Sequence, residues 1–300
     1  MESIERSSVN KCDSGAMPRI MVTFFIFGTV AIFRKFIPLS SALLACLRGF
    51  GGGLFLVAVS LLKGKRVLKG IGRRSGIILA VTGALIGLNW ILLFEAYTFA
   101  SVSTVTLAYN MQPVMVILLS PVFFKESLTG KKIICAVVAV AGIVLISGVT
   151  GTNANVLEIR GVIYGLLAAA LYAAVVTINK KLPAFDANAQ TTIQLLAAAV
   201  VVLPYVLMTE DFSLVTLTGC QVVLLLILCF FHTGFTYAMY FGTIGQIPAQ
   251  RIAILSYIDP VTTLVLSAFL LGERMDGKGI IGALLILGAS YMICTVKERE

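Results

Sequence analysis

Apolar residues run along this chain in long blocks, and charged residues are confined largely to the short gaps between them. A helix that crosses the hydrocarbon core of a bilayer needs roughly 20 mainly apolar residues. Runs free of Asp, Glu, Lys and Arg that meet this need extend from Ser75 to Phe94, Ala96 to Phe124, Ile133 to Leu157, Gly161 to Asn179, Ala187 to Thr209 and Gly279 to Val296. Three further regions supply the rest. Ile20 to Phe33 stops at Arg34-Lys35, Phe36 to Leu62 is broken only by Arg48, and the region from Phe212 onward is too long for one helix. The turn signal from Gly242 to Pro248 divides that region into a helix ending near Tyr240 and another over about Ile247 to Leu271. The pattern predicts an all-α integral membrane protein of about ten transmembrane helices. Residues 1–19 form a polar arm before the first apolar run, which lacks a convincing small-residue cleavage site. That run therefore reads as a retained helix, with a cleaved signal peptide as the alternative.

Composition agrees. Hydrophobic residues make up 59% and charged residues 12% of the 300 residues, and the mean hydropathy is +1.00. A soluble chain is nearer half apolar and a quarter charged, so lipid is the main solvent here. Of six cysteines, Cys46, Cys135, Cys220, Cys229 and Cys294 lie in apolar stretches and read as small buried hydrophobes; Cys12 alone lies in polar sequence. The net charge of +9 follows membrane topology and not a nucleic-acid groove. With the N-terminus inside, Arg34, Lys35, Arg160, Arg274 and Lys278 fall outside, Arg48 and Arg251 fall within spans, and the other 16 of 23 Lys and Arg fall inside. This predicts both termini in the cytoplasm of a multi-pass plasma (inner) membrane protein.

The chain also repeats itself. At an offset of 147, "QPVMVILLSPVFFKESLTGKK" lies over "DPVTTLVLSAFLLGERMDGKG", aligning Pro113 with Pro260 and Glu126 with Glu273. The corner Phe33 to Ile37 falls over Ile178 to Leu182, and Arg48 over Gln194. Each half then carries five helices, residues 20–150 and 151–296, followed by a short tail, 297–300. Five is odd, so equivalent segments face opposite sides of the membrane and the repeat is inverted.

These segments, with the lead-in "IPAQRIAILSYIDP", the Arg48 of "LLACLRG" and the Gly-rich "GKGIIGALLILGASYMIC", make the chain resemble the drug/metabolite transporter superfamily, specifically proteins with two EamA-type domains. The resemblance covers about residues 20 to 296. It implies a ten-helix carrier of small metabolites working by alternating access, with a central cavity lined by both repeats. The first helix carries Phe27-Gly28 where many relatives have Trp-Gly.

Catalytic motifs are absent, and the single histidine, His232, cannot build a HExxH site. No enzyme activity, cofactor or metal is expected. Without an ATP-binding motif, uphill movement must draw on an ion gradient, an exchange partner or the membrane potential. Ionisable residues within spans are costly unless they face protein or water. They are Arg48, Glu95, Arg251 and Asp259, with His232 titratable as well. Arg251 and Asp259 are eight apart and share one helix face; either Arg251 holds a substrate carboxylate or phosphate while Asp259 balances charge or takes a proton, or both are structural. Glu95 is a second candidate for charge balance. Pro113 and Pro260 are expected to kink helices four and nine, and Asn110 and Tyr257 line the pathway if the prolines face inward. His232, Thr236, Tyr240 and Thr243 form a stripe at spacings of 4, 4 and 3, while Asn89 with Trp90 occupies the counterpart helix. Tyr172 and Gln194 complete the candidate lining. Each stripe either binds substrate or supplies interhelical hydrogen bonds worth ~1 kcal/mol. Glu126 and Glu273 read as loop or helix-start contacts, and Gly49/Gly53, Gly83/Gly87 and Gly161/Gly165 as points of close helix approach. A secondary transporter of amino acids or related metabolites, an exporter by resemblance, is the first reading. A flippase or efflux carrier for lipid-linked or drug-like substrates, a nucleotide-sugar-type exchanger, and a membrane receptor or scaffold compete with it. The expected partners are a small-molecule substrate and the lipid bilayer, with no nucleic acid, as a monomer or homodimer.

Overall fold

A computed structural model describes residues 15–64, 70–124, 129–147, 156–183, 185–244, 246–247, 252 and 255–295. Its helices are α1 (Ala16–Phe36), α2 (Ser41–Leu62), α3 (Arg73–Phe99), α4 (Val102–Tyr109), α5 (Gln112–Phe124), α6 (Gly130–Ile146), α7 (Val156–Asn179) and α8 (Ala187–Thr209). There follow α9 (Gly219–Leu226), a π-helical segment (Ile227–Phe235), α10 (Thr236–Ile244), α11 (Ile258–Leu270) and α12 (Gly277–Thr295). No strand occurs among the described residues. Starts are set by hydroxyl and carboxylate caps: Ser40 accepts from the Leu43 amide, Ser101 from Thr104 and Asp186 from Asn188 and Ala189, while Thr218 and Gln221 form a capping box.

Seven helical passes are individually long and apolar enough to cross a bilayer, and α4 with α5 counts as one of them. Helices α6, α11 and α12 supply the shorter passes. Exposed Leu54, Val81, Val140, Leu167, Val200, Leu207 and Leu284 give the bundle an apolar outer surface, as a lipid solvent requires. Helix α3 runs through Glu95 to Phe99, beyond the charge-free run read from sequence, because Glu95 accepts a hydrogen bond from Ser41 and so can stay in the helix.

The two halves interleave. Helix α2 packs on α8, and α6 on α12, each pair being repeat mates. The contact of α3 with α7 is matched by that of the π segment and α10 with α1; that of α3 with α8 by α2 with the π segment; and that of α4 and α5 with α7 by α11 with α1. Every strong contact thus has its mate under one pseudo-two-fold axis, the signature of inverted repeats. Glycines allow these crossings. A Cβ at Gly83 of α3 would stand 2.5 Å from the Gln194 carbonyl of α8, and Gly142 and Gly282 each face the other's carbonyl at 2.8 Å where α6 crosses α12.

Helices four and nine each pass through a short turn before their proline. Asn110-Met111 and Ser256-Tyr257 are turns in which Asn110 and Tyr257 keep right-handed helical dihedrals, and Pro113 and Pro260 stand in the first turns of the helical segments that follow. There a missing amide costs nothing, which is why proline is placed at a helix start and not in mid-rod. The prolines truly within helices are Pro121 and Pro204.

Candidate functional site

Arg48 of α2 is 5% exposed. Its guanidinium carbon lies 4.4 Å from the centroid of Trp90 and 5.7 Å from that of Phe94, both on α3, a cation–π arrangement. Its Nε donates to the Thr233 hydroxyl at 2.7 Å, and that hydroxyl donates to the Leu228 carbonyl at 3.0 Å in the π segment. One edge and one face of the guanidinium are therefore fixed. Neither Nη nitrogen has a hydrogen-bond or ion-pair partner among the described residues, and both keep accessible surface.

Asp259 stands in the first turn of α11. Its main-chain carbonyl presses on Gly28 of α1, where a Cβ would come within 2.5 Å, and accepts from Thr263 at 3.1 Å. Its carboxylate has no hydrogen-bond or ion-pair partner among the described residues. Tyrosines fill the space around the two charges. Tyr97 of α3 and Tyr237 of α10 lie within electrostatic reach of both Arg48 and Asp259, and so does Tyr109 of α4. Tyr172 of α7 lies within reach of Asp259, and its ring is 6.2 Å from that of Tyr109. Tyr237 packs on Phe27 at 5.2 Å, and Tyr240 packs on Phe27 and Phe24. Tyr109, Tyr172, Tyr237 and Asp259 are each partly buried.

Of the residues singled out by sequence, Arg48 stands over Trp90, Tyr172 lies beside Tyr109 and Tyr240 beside Phe27. Others are engaged in bonds within and between helices. Gln194 donates to Thr82 at 2.7 Å and to Asn179 at 3.0 Å, joining α8 to α3 and α7. Asn89 is fully buried and donates to the Ala168 carbonyl at 2.6 Å; its Oδ1 lacks a properly placed partner, with Tyr109 alongside. Asn110 turns back on the Thr106 carbonyl, and its own carbonyl accepts from Ser290. Tyr257 caps α11 and packs on Tyr291 at 6.1 Å.

The polar stripe does not run straight, because residues 227–235 advance by the wider π turn. His232 faces α1, where Nε2 meets the Thr29 hydroxyl at 2.7 Å and the ring packs on Phe33 at 4.5 Å. Thr236 and Thr243 spend their hydroxyls on carbonyls of their own helix, five and four residues back. Glu95 accepts from Ser41 at 2.7 Å, and Ser41 accepts from Arg34, stapling the α1–α2 corner to α3. Arg251 and Glu126 lie outside the described residues. Tyr97, Tyr109, Tyr237 and Phe94 were not singled out by sequence. The available signal was tyrosine in mid-span, away from the interfacial belt where tyrosine normally sits.

A hydrogen-bonded seal joins the start of α4 to α11 and the segment beyond it. Glu273, beyond α11, accepts from the amides of Val102 at 2.7 Å and Ser103 at 3.0 Å and from the Ser103 hydroxyl at 3.0 Å. Ser103 also bonds Ser267 at 2.7 Å, and Lys35 donates to the Tyr97 carbonyl at 2.6 Å. Beyond this seal lies a polar cleft of about 300 Å³ lined by Lys35, Thr98, Ser101 and Glu158.

Two interleaved helical repeats with an apolar outer surface and a buried arginine between them describe a multi-pass membrane protein. Residues 16–148 and 159–295 each match the EamA-like transporter family, and the chain belongs to that family, within the drug/metabolite transporter superfamily. It is 25% identical over 299 residues to the "Uncharacterized transporter YxxF" of Bacillus subtilis (strain 168), covering 97% of this chain and 92% of that one. It is 27% identical over 271 residues to "Protein PecM" of Dickeya dadantii (strain 3937), covering 88% and 87%. A "Probable amino-acid metabolite efflux pump" of Escherichia coli (strain K12) is 27% identical over 196 residues, 62% of this chain and 65% of that one. A solved structure described as "Crystal structure of protein" shares the fold with a TM-score of 0.63 at 18% identity, covering 94% and 96%. The protein is a transporter of small molecules embedded in a membrane.

Proposed function

We propose that the protein is a secondary transporter that exports small amino-acid-like metabolites by alternating access, without chemistry on its cargo and without a cofactor. The observation that carries this reading is Arg48, 5% exposed on α2 between Trp90 and Phe94 of α3 and Thr233 of the second repeat. A charge held inside the bundle, where both repeats meet, suits a water-soluble cargo better than a lipid drawn in from the side. The amino-acid reading is supported by the relatives named as amino-acid metabolite efflux pumps.

In the orientation favoured by the Lys and Arg distribution, both termini are cytoplasmic in the plasma membrane and the Glu273 seal is external. The sealed end then corresponds to a carrier closed to the outside. The two five-helix repeats, about residues 20–150 and 151–296, act as the exchanging halves, in a monomer or homodimer. Reconstituted protein should give saturable uptake of at least one amino acid from a panel that also includes nucleobases and organic cations, altered by an imposed pH gradient if a proton is exchanged. Uptake no faster than in empty liposomes for every amino acid would remove the amino-acid reading.

A further inference from the structure

Arg48 of α2 and Gln194 of α8 occupy matched places in the two repeats, and each donates to a threonine hydroxyl at 2.7 Å across a matched helix crossing. Gln194 reaches Thr82 of α3, and Arg48 reaches Thr233 of the π segment through Nε. That shared bond ties helices together in both halves. It leaves Gln194 fully used, since its amide nitrogen also donates to Asn179 at 3.0 Å, but it engages only one of the three guanidinium nitrogens. The two Nη groups have no counterpart in the other repeat and no hydrogen-bond or ion-pair partner among the described residues, and they keep accessible surface. The structural duty of this place therefore needs only a neutral amide. What Arg48 adds is a positive charge and an unused pair of donors inside the bundle.

Those donors are held in one direction. Trp90 stands 4.4 Å from the guanidinium carbon and Phe94 5.7 Å. The Thr233 hydroxyl gives its own hydrogen to the Leu228 carbonyl at 3.0 Å, a bond across five residues that the π turn provides, so its oxygen faces Arg48 as an acceptor. Glycines press α2 onto the π segment: a Cβ at Gly51 would lie 2.7 Å from that of Cys229, and Gly52 abuts the Thr233 methyl. A guanidinium 5% exposed and without a carboxylate carries a desolvation cost that aromatic faces offset only in part.

We propose that the Nη edge of Arg48 is the seat of a single carboxylate on the transported solute. With Nε engaged by Thr233, the two Nη groups form the end-on fork that binds both oxygens of a carboxylate in parallel. A monoanion cancels the one buried charge, whereas a doubly charged phosphate would replace a buried positive charge by a buried negative one. The solute class is thus carboxylates, amino acids among them, and not amines or organic cations. This assignment rests on the carrier reading above and names the chemical group of the cargo that the buried arginine reads.

Trp90 is the single tryptophan of the chain, so tryptophan emission reports on whatever seats at the guanidinium stacked over it. The full chain in detergent micelles is titrated with the non-aromatic protein amino acids, their amides and inorganic phosphate. At least one acid should change Trp90 emission saturably, its amide should bind at least about tenfold more weakly, and phosphate should bind no better than the amide. Arg48→Gln, which places at this position the residue type of its repeat mate, should keep the fold and bring acid and amide to equal affinity. Arg48→Lys keeps the charge and loses the fork; it should weaken the acid severalfold, leave the amide unchanged, and carry the test should the glutamine variant not fold. Equal binding of acid and amide, no response to any acid, or a preference for the acid that survives Arg48→Gln overturns the seat. Proteoliposome uptake separates the two readings: saturable uptake of an amino acid that Arg48→Gln leaves intact removes the seat alone, and uptake of no amino acid removes the amino-acid carrier as well.

Discussion

Tyr97, Tyr109 and Tyr237 illustrate how polar groups inside the bundle are hidden in the sequence. A tyrosine ring counts as apolar in any run of hydrophobic residues, so its hydroxyl leaves no mark on the pattern. Arg48 stands out for the opposite reason, since a lone charge in a long apolar run can survive only beside protein or water, and it is buried against Trp90. Glutamine and asparagine gave no such guidance. Gln194 and Asn89 find their partners on helices 15 to 112 positions away. The glycines divide in the same way. Gly83→Ala should destabilise the protein by about 1–3 kcal/mol, because the new methyl meets the Gln194 carbonyl and backbone cannot yield as a side chain does. Gly288→Ala, with nothing within 4 Å of its Cβ position, should be neutral or mildly stabilising. Apparent melting temperatures of the two variants in one detergent would check the contrast.

At the scale of elements, the number and order of the spans were readable because twenty apolar residues in a row have few other uses. What could not be read were departures from regular geometry. The stripe through His232 and Thr236 assumes 3.6 residues per turn, and the π segment breaks that count within two turns. Likewise the sequence marks Pro113 and Pro260 but not the turns at Asn110-Met111 and Ser256-Tyr257 that precede them. Glu273 was rightly assigned to a helix start, although nothing nearby in sequence told that it caps α4 of the other repeat. Glu273→Ala removes three hydrogen bonds from the first turn of that helix and should weaken the seal by about 1–3 kcal/mol. In a background with the exposed Cys220 replaced by serine, a cysteine at Thr104 should then react with a small thiol reagent about 5- to 100-fold faster than when Glu273 is present. An unchanged rate would show that the seal depends on the Ser103–Ser267 contact and on packing alone.

For the molecule as a whole, the inverted symmetry was announced by the 147-residue offset, but the offset is silent on whether the halves sit side by side or pass through one another. Contact geometry decides that, and contacts between helices far apart in the chain are what a single sequence conceals. Orientation is open to direct test: a cysteine at Thr98 should be labelled by an impermeant thiol reagent in intact cells, and one at Gly64 only after the membrane is opened. The interleaving also governs how the protein is made. When the ribosome has delivered α1 to α6, the surfaces of α1 meant for α10 and α11, of α2 meant for α8, and of α6 meant for α12 have nothing to pack on. The nascent half must therefore wait in the bilayer as separately inserted helices, and its assembly begins only when the later ones arrive. A gene cut between residues 147 and 156 should accordingly yield two fragments that are degraded when expressed singly and protect each other when expressed together.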